Sequence, residues 1–493
     1  MSADFSHSMI APAMIAPTEQ TLPLCVDLDG TLIRSDMLYE GICALAMDPA
    51  LFAALLGIFR GRAAFKQSIA ARAAMDPALL PYNQTLLEYL HRQKDAGRHI
   101  VLATAADRLV ADAIADHLGI FDEVIASDGI HNLKGEAKAQ ALVEKFGTGG
   151  FSYAGNAHSD LAIWRQAGST IVVNAPAGTL AEAREKTKVE LVIADQPPLS
   201  HELLRAIRPH QWVKNLLVFV PILTAHATTD LAAWIGGVIM FAAFCCTASA
   251  IYLINDLLDI TADRAHPRKR LRPFARGTIP LPVGVAAAAI LLLAGVTLAY
   301  FGQVIPIIAL YAIMSISYSF RLKELPLVDV FMLGGLYTIR LIGGGEATGH
   351  PLSLWLLGFS SFLFLSLALL KRVEEMMSLG KAGGVRAARR GYTPADTAIL
   401  QSFGIASAFA SSIVLALFVQ SEAGEQNYAS PNLLWGIVPL LLFWQCRMWL
   451  AGARGYMHHD PIVYAARDRV SWMIGVAVVG VVIAARSVSK FSF

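Results

Sequence analysis

Residues 232–263 read AAWIGGVIMFAAFCCTASAIYLINDLLDITAD, a long apolar run that passes directly into a segment with three aspartates. The apolar part, about 232–254, is long enough to cross a bilayer as a helix. Acidic side chains are costly at the edge of a membrane and are usually kept there for a function. This stretch therefore predicts a membrane protein with a polar site at the end of its second span.

The composition of the whole chain agrees with a membrane protein. The chain has 493 residues, of which 55% are hydrophobic. Residues 1–205 have an ordinary charge density, whereas long apolar runs dominate after about residue 213. We predict nine spanning helices at about residues 213–227, 232–254, 282–300, 303–320, 327–345, 352–370, 396–419, 432–450 and 470–486.

Basic residues are unevenly distributed among the predicted loops. Lys and Arg are frequent in the loops 255–281, 371–395 and 446–469, and they are absent from the loops 228–231, 346–351 and 420–431. Loops rich in Lys and Arg normally face the cytoplasm. We therefore predict a multi-pass protein of the cell membrane whose N-terminal domain is cytoplasmic and whose C-terminus is outside.

The acidic segment has a spacing that suits divalent cations. In one continuous helix, Asp256, Asp259 and Asp263 would lie on the same face, spread over about 10 Å. Three neighbouring carboxylates repel one another unless cations join them, and Mg²⁺ with a diphosphate is a suitable partner. The alternative is a helix cap followed by solvated acids.

The N-terminal part shows a different periodicity, in which short apolar strands alternate with helical patterns. The predicted strands are Leu24–Leu28, His99–Thr104, Glu123–Ser127, Phe151–Ala154 and Thr170–Asn174. Such alternation favours a Rossmann-like α/β domain whose active groups lie at the carboxyl ends of parallel strands. Residues 37–95 have helical patterns that are interrupted by prolines, and we interpret them as a cap.

The first strand runs into Asp27-Leu28-Asp29-Gly30-Thr31, and this motif resembles that of the haloacid-dehalogenase superfamily. The resemblance implies that Asp27 is a nucleophile and Asp29 an acid/base. It further implies that Thr104 and Lys134 contact phosphate, with Lys138 as the alternative lysine. Metal-binding oxygens would come from Asp27, Asp29, Asn156 and Asp160, although Asn156 replaces the expected acid. The alternative is a retained fold whose site is regulatory or inert.

The membrane half resembles the UbiA superfamily of intramembrane prenyltransferases, through the NDxxDxxxD pattern of Asn255–Asp263. The resemblance covers residues 205–488 and implies an all-α bundle that holds a diphosphate through Mg²⁺. A second acidic motif is expected in residues 318–329, but that loop contains one aspartate, Asp329. Together with RPHQWVKN at 208–215 and HPRKR at 266–270, this is similar to the branch typified by decaprenyl-phosphate phosphoribosyltransferase.

That branch implies a phosphoribosyl pyrophosphate donor and a polyprenyl phosphate acceptor. We assign Asp256, Asp259, Asp263 and Asn255 to Mg²⁺ and pyrophosphate. Lys214, Lys323 and Arg340 are candidates for phosphate contacts, because a fixed cation at a helix edge can hold an anion. Further candidates, for the path of the acceptor phosphate, are Lys371, Arg372, Arg390 and Tyr392. For the acceptor-path candidates, the alternative is that they only fix the orientation of the spans in the membrane. The same alternative applies to Arg268, Lys269, Arg270 and Arg272.

The predicted organisation is a flexible N-terminus (1–21), a haloacid-dehalogenase-like domain (22–195), a linker or interfacial segment (196–212) and a transmembrane domain (213–488). The predicted function is Mg²⁺-dependent phosphoribosyl transfer, followed by removal of the 5-phosphate by the N-terminal domain. Two alternatives remain, an aromatic prenyltransferase and a transporter or sensor with a regulatory domain. A net charge of +2, with basic residues that cluster in short loops, indicates no nucleic-acid partner. A homo-oligomer is compatible with the sequence.

Overall fold

The computed structural model describes residues 22–73, 75–128, 130–381, 391–457 and 460–487. The predicted flexible N-terminus, residues 1–21, lies outside this range. The chain forms two compact units. The N-terminal unit comprises the described residues up to Pro198 together with Ile260–Leu281, and the helical unit comprises Leu199–Asp259 together with the described residues from Pro282 onward.

The N-terminal unit is built on a six-stranded parallel sheet. Its strands are β1 (Leu24–Val26), β2 (Ile100–Asp107), β3 (Glu123–Ser127), β4 (Ser152–Gly155), β5 (Ser169–Val173) and β6 (Val189–Ile193). The order is β3-β2-β1-β4-β5-β6, so the chain reverses direction across the sheet at β1. Five strands confirm the sequence prediction, whereas β6 was not predicted. The Rossmann-like fold places the carboxyl ends of β1, β2 and β4 side by side, where such proteins bind ligands.

Helices surround this sheet and form the predicted cap. The α-helices of the unit are Met37–Ala44, Ala50–Leu55, Arg62–Ala70, Gln84–Asp95, Arg108–Leu118, Glu136–Phe146, Leu161–Trp164, Ala177–Lys186 and Ile260–Ala265. Short 3₁₀ helices are Leu56–Arg60, Pro77–Leu79, His158–Asp160 and Lys269–Leu271. We call Met37–Ala44 the first cap helix. Asp36 caps its N-terminus by accepting hydrogen bonds from the amides of Leu38 and Tyr39.

Two apolar layers enclose the sheet and explain its stability. Leu24, Val26 and Leu102 belong to the core on one face, and Cys25, Val101 and Tyr153 belong to the core on the other. Neighbouring residues of one strand therefore contribute to opposite layers, as strand geometry requires. Both faces of a parallel sheet are buried in this way, which accounts for the continuous apolar runs in the sequence.

The helical unit contains the long apolar helices. Its α-helices are Leu199–Ala206, Val220–Thr224, Leu231–Leu258, Leu281–Phe301, Ile305–Phe320, Val328–Thr348, Leu354–Lys381, Thr397–Val419, Glu422–Asn427, Ile437–Ala453, Pro461–Arg467 and Arg469–Ser487. Its 3₁₀ helices are Pro209–Phe219, Leu322–Glu324, Pro394–Asp396 and Pro431–Gly436.

Six helical segments in the described residues are long and apolar enough to cross a membrane. They are Leu231–Leu258, Leu281–Phe301, Leu354–Gly380, Pro394–Val419, Pro431–Ala453 and Arg469–Ser487. A multi-span membrane protein is thus confirmed, whereas the count of nine spans stays a prediction. Ile305–Phe320 is shorter than a typical span. The predicted first span, 213–227, is instead the end of a 3₁₀ helix followed by the short helix Val220–Thr224.

Candidate active sites

The first candidate site lies where β1 ends, at Asp27. The Lys138 ammonium donates a 2.7 Å hydrogen bond to Asp27 Oδ1 and a 2.9 Å hydrogen bond to the Tyr153 hydroxyl. Lys138 belongs to the helix Glu136–Phe146 and is buried, so this ion pair is shielded from water. Such a lysine can hold a phosphate group beside the Asp27 carboxylate.

Lys138, and not Lys134, therefore contacts the Asp27 carboxylate. Lys134 is exposed in the turn before the helix, where its backbone amide donates to Asn132 O. The helical periodicity explains the difference, because Lys138 lies on the face with Ala139 and Leu142 that packs inward. Lys138 thus makes the contact with Asp27, and the phosphate-contacting role of either lysine stays a prediction.

Asp29 lies beside Asp27 and is held by the first cap helix. The Met37 amide donates a 2.8 Å hydrogen bond to Asp29 Oδ1. The pKa of Asp29 is raised to about 7, mainly by burial and also by the charge of Asp36, while the Met37 amide opposes the shift. A carboxyl group that titrates near neutral pH can both donate and accept a proton, which suits an acid/base.

The remaining predicted residues of this site lie within β2 and just after β4. Thr104 is fully buried, and its hydroxyl accepts a hydrogen bond from the Ala106 amide. Thr31 donates a 3.3 Å hydrogen bond to Asn156 Oδ1. Asp160 Oδ2 accepts hydrogen bonds of 2.9 Å from the amides of Asn156 and Ala157, so it fixes this turn.

A small cavity of about 20 Å³ adjoins Asp29 beneath the cap. Its lining includes Met37, Lys66, Ile69, Met75 and Asp107. Lys66, on the cap helix Arg62–Ala70, donates a 2.7 Å hydrogen bond to Ala105 O. Sequence reasoning missed Lys66, because nothing in a helical cap pattern distinguishes one lysine from another.

The second candidate site begins at the acidic segment of the helical unit. Asp256 is buried, and Arg208 Nη2 donates hydrogen bonds of 2.6 and 2.9 Å to its two carboxylate oxygens. Asp259 Oδ2 lies 3.9 Å from Lys323 Nζ. Asn255 donates a 2.9 Å hydrogen bond to Ser319 Oγ. Arg208 was not among the predicted site residues, although it stands in the quoted RPHQWVKN stretch.

The three acids do not share one continuous helix, as the sequence spacing predicted. The helix that carries Asp256 ends at Leu258, and Asp263 belongs to the next helix, Ile260–Ala265. Asp263 accepts a 2.7 Å hydrogen bond from Arg272 Nη1 and belongs to the N-terminal unit. Within the part of the chain that the structure describes, no three His, Cys, Asp or Glu side chains are grouped to hold a metal ion. Carboxylate oxygens are ligands that Mg²⁺ prefers, and each of the three carboxylates lies next to a basic side chain.

A buried ionic cluster lies elsewhere in the helical unit. Lys214 donates a 2.7 Å hydrogen bond to Asp460 Oδ2, and Lys371 donates a 3.2 Å hydrogen bond to the same oxygen. The Tyr337 hydroxyl lies 3.1 Å from both oxygens of Asp460. Two cations thus share one carboxylate, so the cluster has an excess of positive charge. We call these four residues the lysine cluster.

Asp460 and Tyr337 were not predicted as members of this cluster. The Asp460-Pro461 pair could have indicated the start of a helix, since Asp460 caps the helix Pro461–Arg467. Its partners, however, lie far away in sequence. Burial raises the pKa of Asp460, but Lys214 and Lys371 lower it more strongly, and the pKa lies well below its usual value.

Arg340 is buried among neutral partners in the helix Val328–Thr348. It donates a 2.7 Å hydrogen bond to Asn215 Oδ1 and a 3.1 Å hydrogen bond to the Tyr311 hydroxyl. Its guanidinium carbon also lies 4.9 Å from the centre of the Tyr311 ring. These contacts satisfy hydrogen-bond donors of the guanidinium. Because the partners are neutral, they leave its positive charge able to attract an anion.

Arg372 and Tyr392 are drawn together by Asp329. Arg372 Nη2 lies 2.6 Å from Asp329 Oδ2, and both side chains have zero exposure. The Tyr392 hydroxyl donates a 2.6 Å hydrogen bond to Asp329 Oδ1. The single aspartate of the 318–329 loop is thus part of a buried ion pair that ties two helices together. Arg390, also a candidate for the acceptor path, lies outside the described residues.

Two family models match separate parts of the chain. The model of the UbiA prenyltransferase family matches residues 216–455, and that of haloacid dehalogenase-like hydrolases matches residues 42–165. A protein of Mycolicibacterium smegmatis named decaprenyl-phosphate phosphoribosyltransferase is 31% identical over 57% of this chain and 92% of its own length. The chain belongs to the UbiA prenyltransferase family.

Two further relatives match different shares of this UbiA-family chain. A Sinorhizobium fredii protein called uncharacterized protein y4nM is 38% identical over 93% of this chain and 90% of its own length. Nodulation protein NoeC of Azorhizobium caulinodans is 34% identical over 53% of this chain and 86% of its own length. The protein is therefore an enzyme that combines a UbiA-type transferase domain with a haloacid-dehalogenase-like hydrolase domain.

Proposed function

We propose that the helical unit transfers a 5-phosphoribosyl group from phosphoribosyl pyrophosphate to a polyprenyl phosphate. The observation that carries this proposal is the buried lysine cluster, in which Lys214 and Lys371 share the carboxylate of Asp460. A reaction between two phosphorylated substrates requires cations beyond those that neutralise one diphosphate. The name of the Mycolicibacterium smegmatis relative, decaprenyl-phosphate phosphoribosyltransferase, supports the transfer of a phosphoribosyl group to a polyprenyl phosphate.

The residues of the acidic segment have a distinct part in this reaction. Asp256, Asp259 and Asn255 would hold Mg²⁺ with the pyrophosphate, and Asp263 is the third acid of the motif. When bound, Mg²⁺ neutralises charge that develops on the leaving pyrophosphate. Arg208 and Lys323 keep the acids from repelling one another before substrate arrives, and they can then pair with phosphate oxygens.

The bond changes are those of a substitution at the anomeric carbon. The bond from this carbon to pyrophosphate breaks, and a phosphate oxygen of the lipid forms the new bond. The acceptor is already ionised at neutral pH, so no base has to remove a proton. Lys214, Lys371 and Arg340 would hold phosphate oxygens and orient them for attack.

The N-terminal unit would then remove the 5-phosphate from the lipid product. Asp27 attacks the phosphorus, the bond to the ribose 5-oxygen breaks, and Asp29 donates a proton to that oxygen. Water then cleaves the aspartyl phosphate while Asp29 accepts its proton. Lys138 and Thr104 would hold the phosphate oxygens, and Mg²⁺, bound by Asp27 and Asp29 with Asn156 and Asp160 nearby, would offset their charge.

The transfer is tested with membranes that contain the full chain. Radiolabelled phosphoribosyl pyrophosphate, Mg²⁺ and polyprenyl phosphate are incubated, and label in the organic extract is measured. We expect incorporation by the wild type and its loss in Asp256→Asn. A matched control is Asp396→Asn, because Asp396 belongs to the capping box of the 3₁₀ helix Pro394–Asp396 in the same unit.

The rival activity is measured in the same membranes with a prenyl diphosphate and a hydroxyaromatic acid. Turnover of that pair, without incorporation of phosphoribosyl label, would contradict the proposal in favour of an aromatic prenyltransferase. Absence of both products, with Asp256→Asn indistinguishable from wild type in substrate binding, would favour a transporter or sensor.

A further inference from the structure

The cap contains a helical stretch, Ala50–Phe59, in which every residue is apolar or glycine. It comprises the α-helix Ala50–Leu55 and most of the 3₁₀ helix Leu56–Arg60. Its inner side packs against the cap helix Arg62–Ala70, and the buried Ala54 and Ile69 belong to one apolar cluster. This packing accounts for apolar residues on one side of the stretch and for no others.

The outer side of the same stretch is also apolar. Phe52 and Phe59 are 77% and 89% exposed. Residues three or four positions apart lie on one side of a helix, so the exposed residues form a stripe. A contiguous exposed apolar surface usually marks contact with a partner or a membrane. We call this surface the cap patch, and it consists of Met47, Phe52, Leu55, Leu56, Ile58 and Phe59.

The length of the stretch favours the surface of a bilayer as its partner. A spanning helix needs about 20 apolar residues, so this stretch is too short to cross a membrane. It is also too exposed to be a core helix. Short apolar segments that neither span nor lie in a core suit the interfacial layer between headgroups and acyl chains, where Phe and Leu side chains are common.

The charges around the cap patch suit anionic headgroups. Residues 49–75 include Arg60, Arg62, Lys66 and Arg72, and this part of the sequence has no aspartate or glutamate. Lys and Arg near a membrane surface are attracted to anionic lipids, and burial of apolar side chains adds to that attraction. The sequence of the cap thus supplies both attractions that an interfacial helix uses.

The chain also connects the N-terminal unit directly to membrane-spanning helices. The segment Ile260–Leu281 of this unit begins just after the helix Leu231–Leu258 and ends where the helix Leu281–Phe301 begins. Both helices are long and apolar enough to cross a membrane. A tethered surface meets its partner at a high effective concentration, so a weak interfacial attraction is sufficient for docking.

We propose that the cap patch docks in the interfacial layer of the bilayer that holds the spanning helices. The inner side of the patch stretch packs on a cluster whose members Leu38, Ile69 and Met75 also line the cavity beside Asp29. Docking therefore brings a wall of the hydrolase cavity to the lipid surface, and the site takes its phosphate monoester from a membrane lipid. This consequence rests on the proposed function, whereas the docking itself does not.

Docking is tested with the full chain in vesicles of phosphatidylcholine, alone or mixed with phosphatidylglycerol. The vesicles contain a photoactivatable phospholipid whose reactive group lies near the headgroup end of the acyl chain, and mass spectrometry locates the lipid adducts after illumination. The test variant is Phe52→Glu/Phe59→Glu, and Phe52→Trp/Phe59→Trp is the conservative variant. Leu109→Glu is the control, because it replaces a single exposed apolar residue on another helix of the unit.

We expect adducts in wild-type peptides from residues 47–60, with a higher yield when phosphatidylglycerol is present. The double Glu variant should lower this yield about tenfold, because charges replace two apolar side chains that the lipid buries. The Trp variant and the control should keep it. A wild type whose adducts are confined to the spanning helices would overturn the proposal, and a particle mass of two chains would then identify a second copy as the partner.

An adduct yield in the double Glu variant equal to that of wild type would also overturn the proposal. Amide exchange in β1 and β4 reports whether this variant is folded, and Phe59→Glu alone decides if it is not.

Phosphate release separates docking from its consequence for the substrate. We expect the double Glu variant to hydrolyse p-nitrophenyl phosphate as fast as wild type, while its release of phosphate from the phosphoribosylated lipid falls about tenfold. Unchanged release from the lipid, in a variant that has lost its adducts, would overturn the delivery of substrate from the bilayer. Wild-type protein that forms the adducts but releases no phosphate would refute the proposed hydrolysis and support the docking.

Discussion

At the scale of single residues, the candidate sites consist of charges that are paired in the protein interior. Asp27 is paired with Lys138, Asp256 with Arg208, and Asp329 with Arg372. Removing one partner of a buried pair leaves an uncompensated charge, which typically costs about 3–5 kcal/mol. Substitutions at these residues therefore require a control that separates lost chemistry from lost stability.

The lysine of the hydrolase site can be identified by paired substitutions. We expect Lys138→Met to lower the hydrolysis of p-nitrophenyl phosphate by about 100-fold or more, because a preorganised donor to the phosphate is lost. Lys134→Met should leave the rate close to that of wild type, since Lys134 is exposed. Steady-state kinetics of both variants test this assignment. A larger loss of rate in Lys134→Met than in Lys138→Met would contradict it.

The raised pKa of Asp29 predicts a pH dependence of stability in metal-free protein. The folded state binds a proton that the unfolded state has released between pH 3.8 and about 7. The stability that this proton provides is complete below about pH 4 and is lost as the pH rises through 7. A shift of this size corresponds to at most about 4 kcal/mol.

Hydrogen exchange of β1 and β4 in the presence of a chelator measures this effect. Between pH 5 and 8, protection should fall more in wild type than in Asp29→Asn, after correction for intrinsic exchange. Asp116→Asn, at an exposed position of the helix Arg108–Leu118, should behave as wild type. Parallel profiles for wild type and Asp29→Asn would refute the predicted titration.

At the scale of elements, the segment Ile260–Leu281 depends on a glycine. Gly277 combines a positive φ with close contacts to Arg34 and Pro81. Any side chain there meets both backbone strain and a steric clash. The segment therefore has little tolerance at this position, although a loop between two membrane spans would ordinarily accept substitution.

Gly277→Ala should destabilise the segment by about 1–3 kcal/mol. Gly119→Ala is the matched control, because Gly119 also has a positive φ but an added Cβ meets nothing within 4 Å. The free energies of opening, from exchange in peptides of residues 260–281 and 108–125, give the two costs. A cost no larger at Gly277 than at Gly119 would show that the contacts with Arg34 and Pro81 contribute little.

At the scale of the whole molecule, one chain carries two chemistries that suit consecutive steps. The transfer that we propose makes a lipid with a 5-phosphate, and the hydrolase fold is of a kind that removes phosphate groups. Fusion in one chain keeps the two domains in equal amounts in the same membrane.

This order of steps predicts different lipid products for two variants. Wild-type membranes should release inorganic phosphate from the labelled lipid, whereas Asp27→Asn should accumulate the 5-phosphorylated form with total lipid label unchanged. Asp256→Asn should lose lipid label altogether. Thin-layer chromatography separates the two lipids, and wild-type membranes that never release phosphate would refute the second step.

Much of the architecture was determined by local patterns in the sequence. Apolar runs identified the long helices, alternation of short strands with helices identified the parallel sheet, and the DxDGT motif placed Asp27 and Asp29 at the end of β1. β6 was missed because Val189–Ile193 carries Glu190 and is only partly buried at the edge of the sheet. The helix type in the predicted first span was not foreseen, because apolar composition does not distinguish a 3₁₀ helix from an α-helix.

Pairing between distant residues was decided only by the tertiary structure. Asp460 is separated from Lys214 by 246 positions, and Glu40 from Arg264 by 224. Lys138, rather than Lys134, contacts Asp27 because of the direction in which its helix packs. Asp263 belongs to the N-terminal unit together with the rest of its segment. Periodicity is a local property of the chain, whereas a buried charge selects its partner from whatever the folded chain brings within reach.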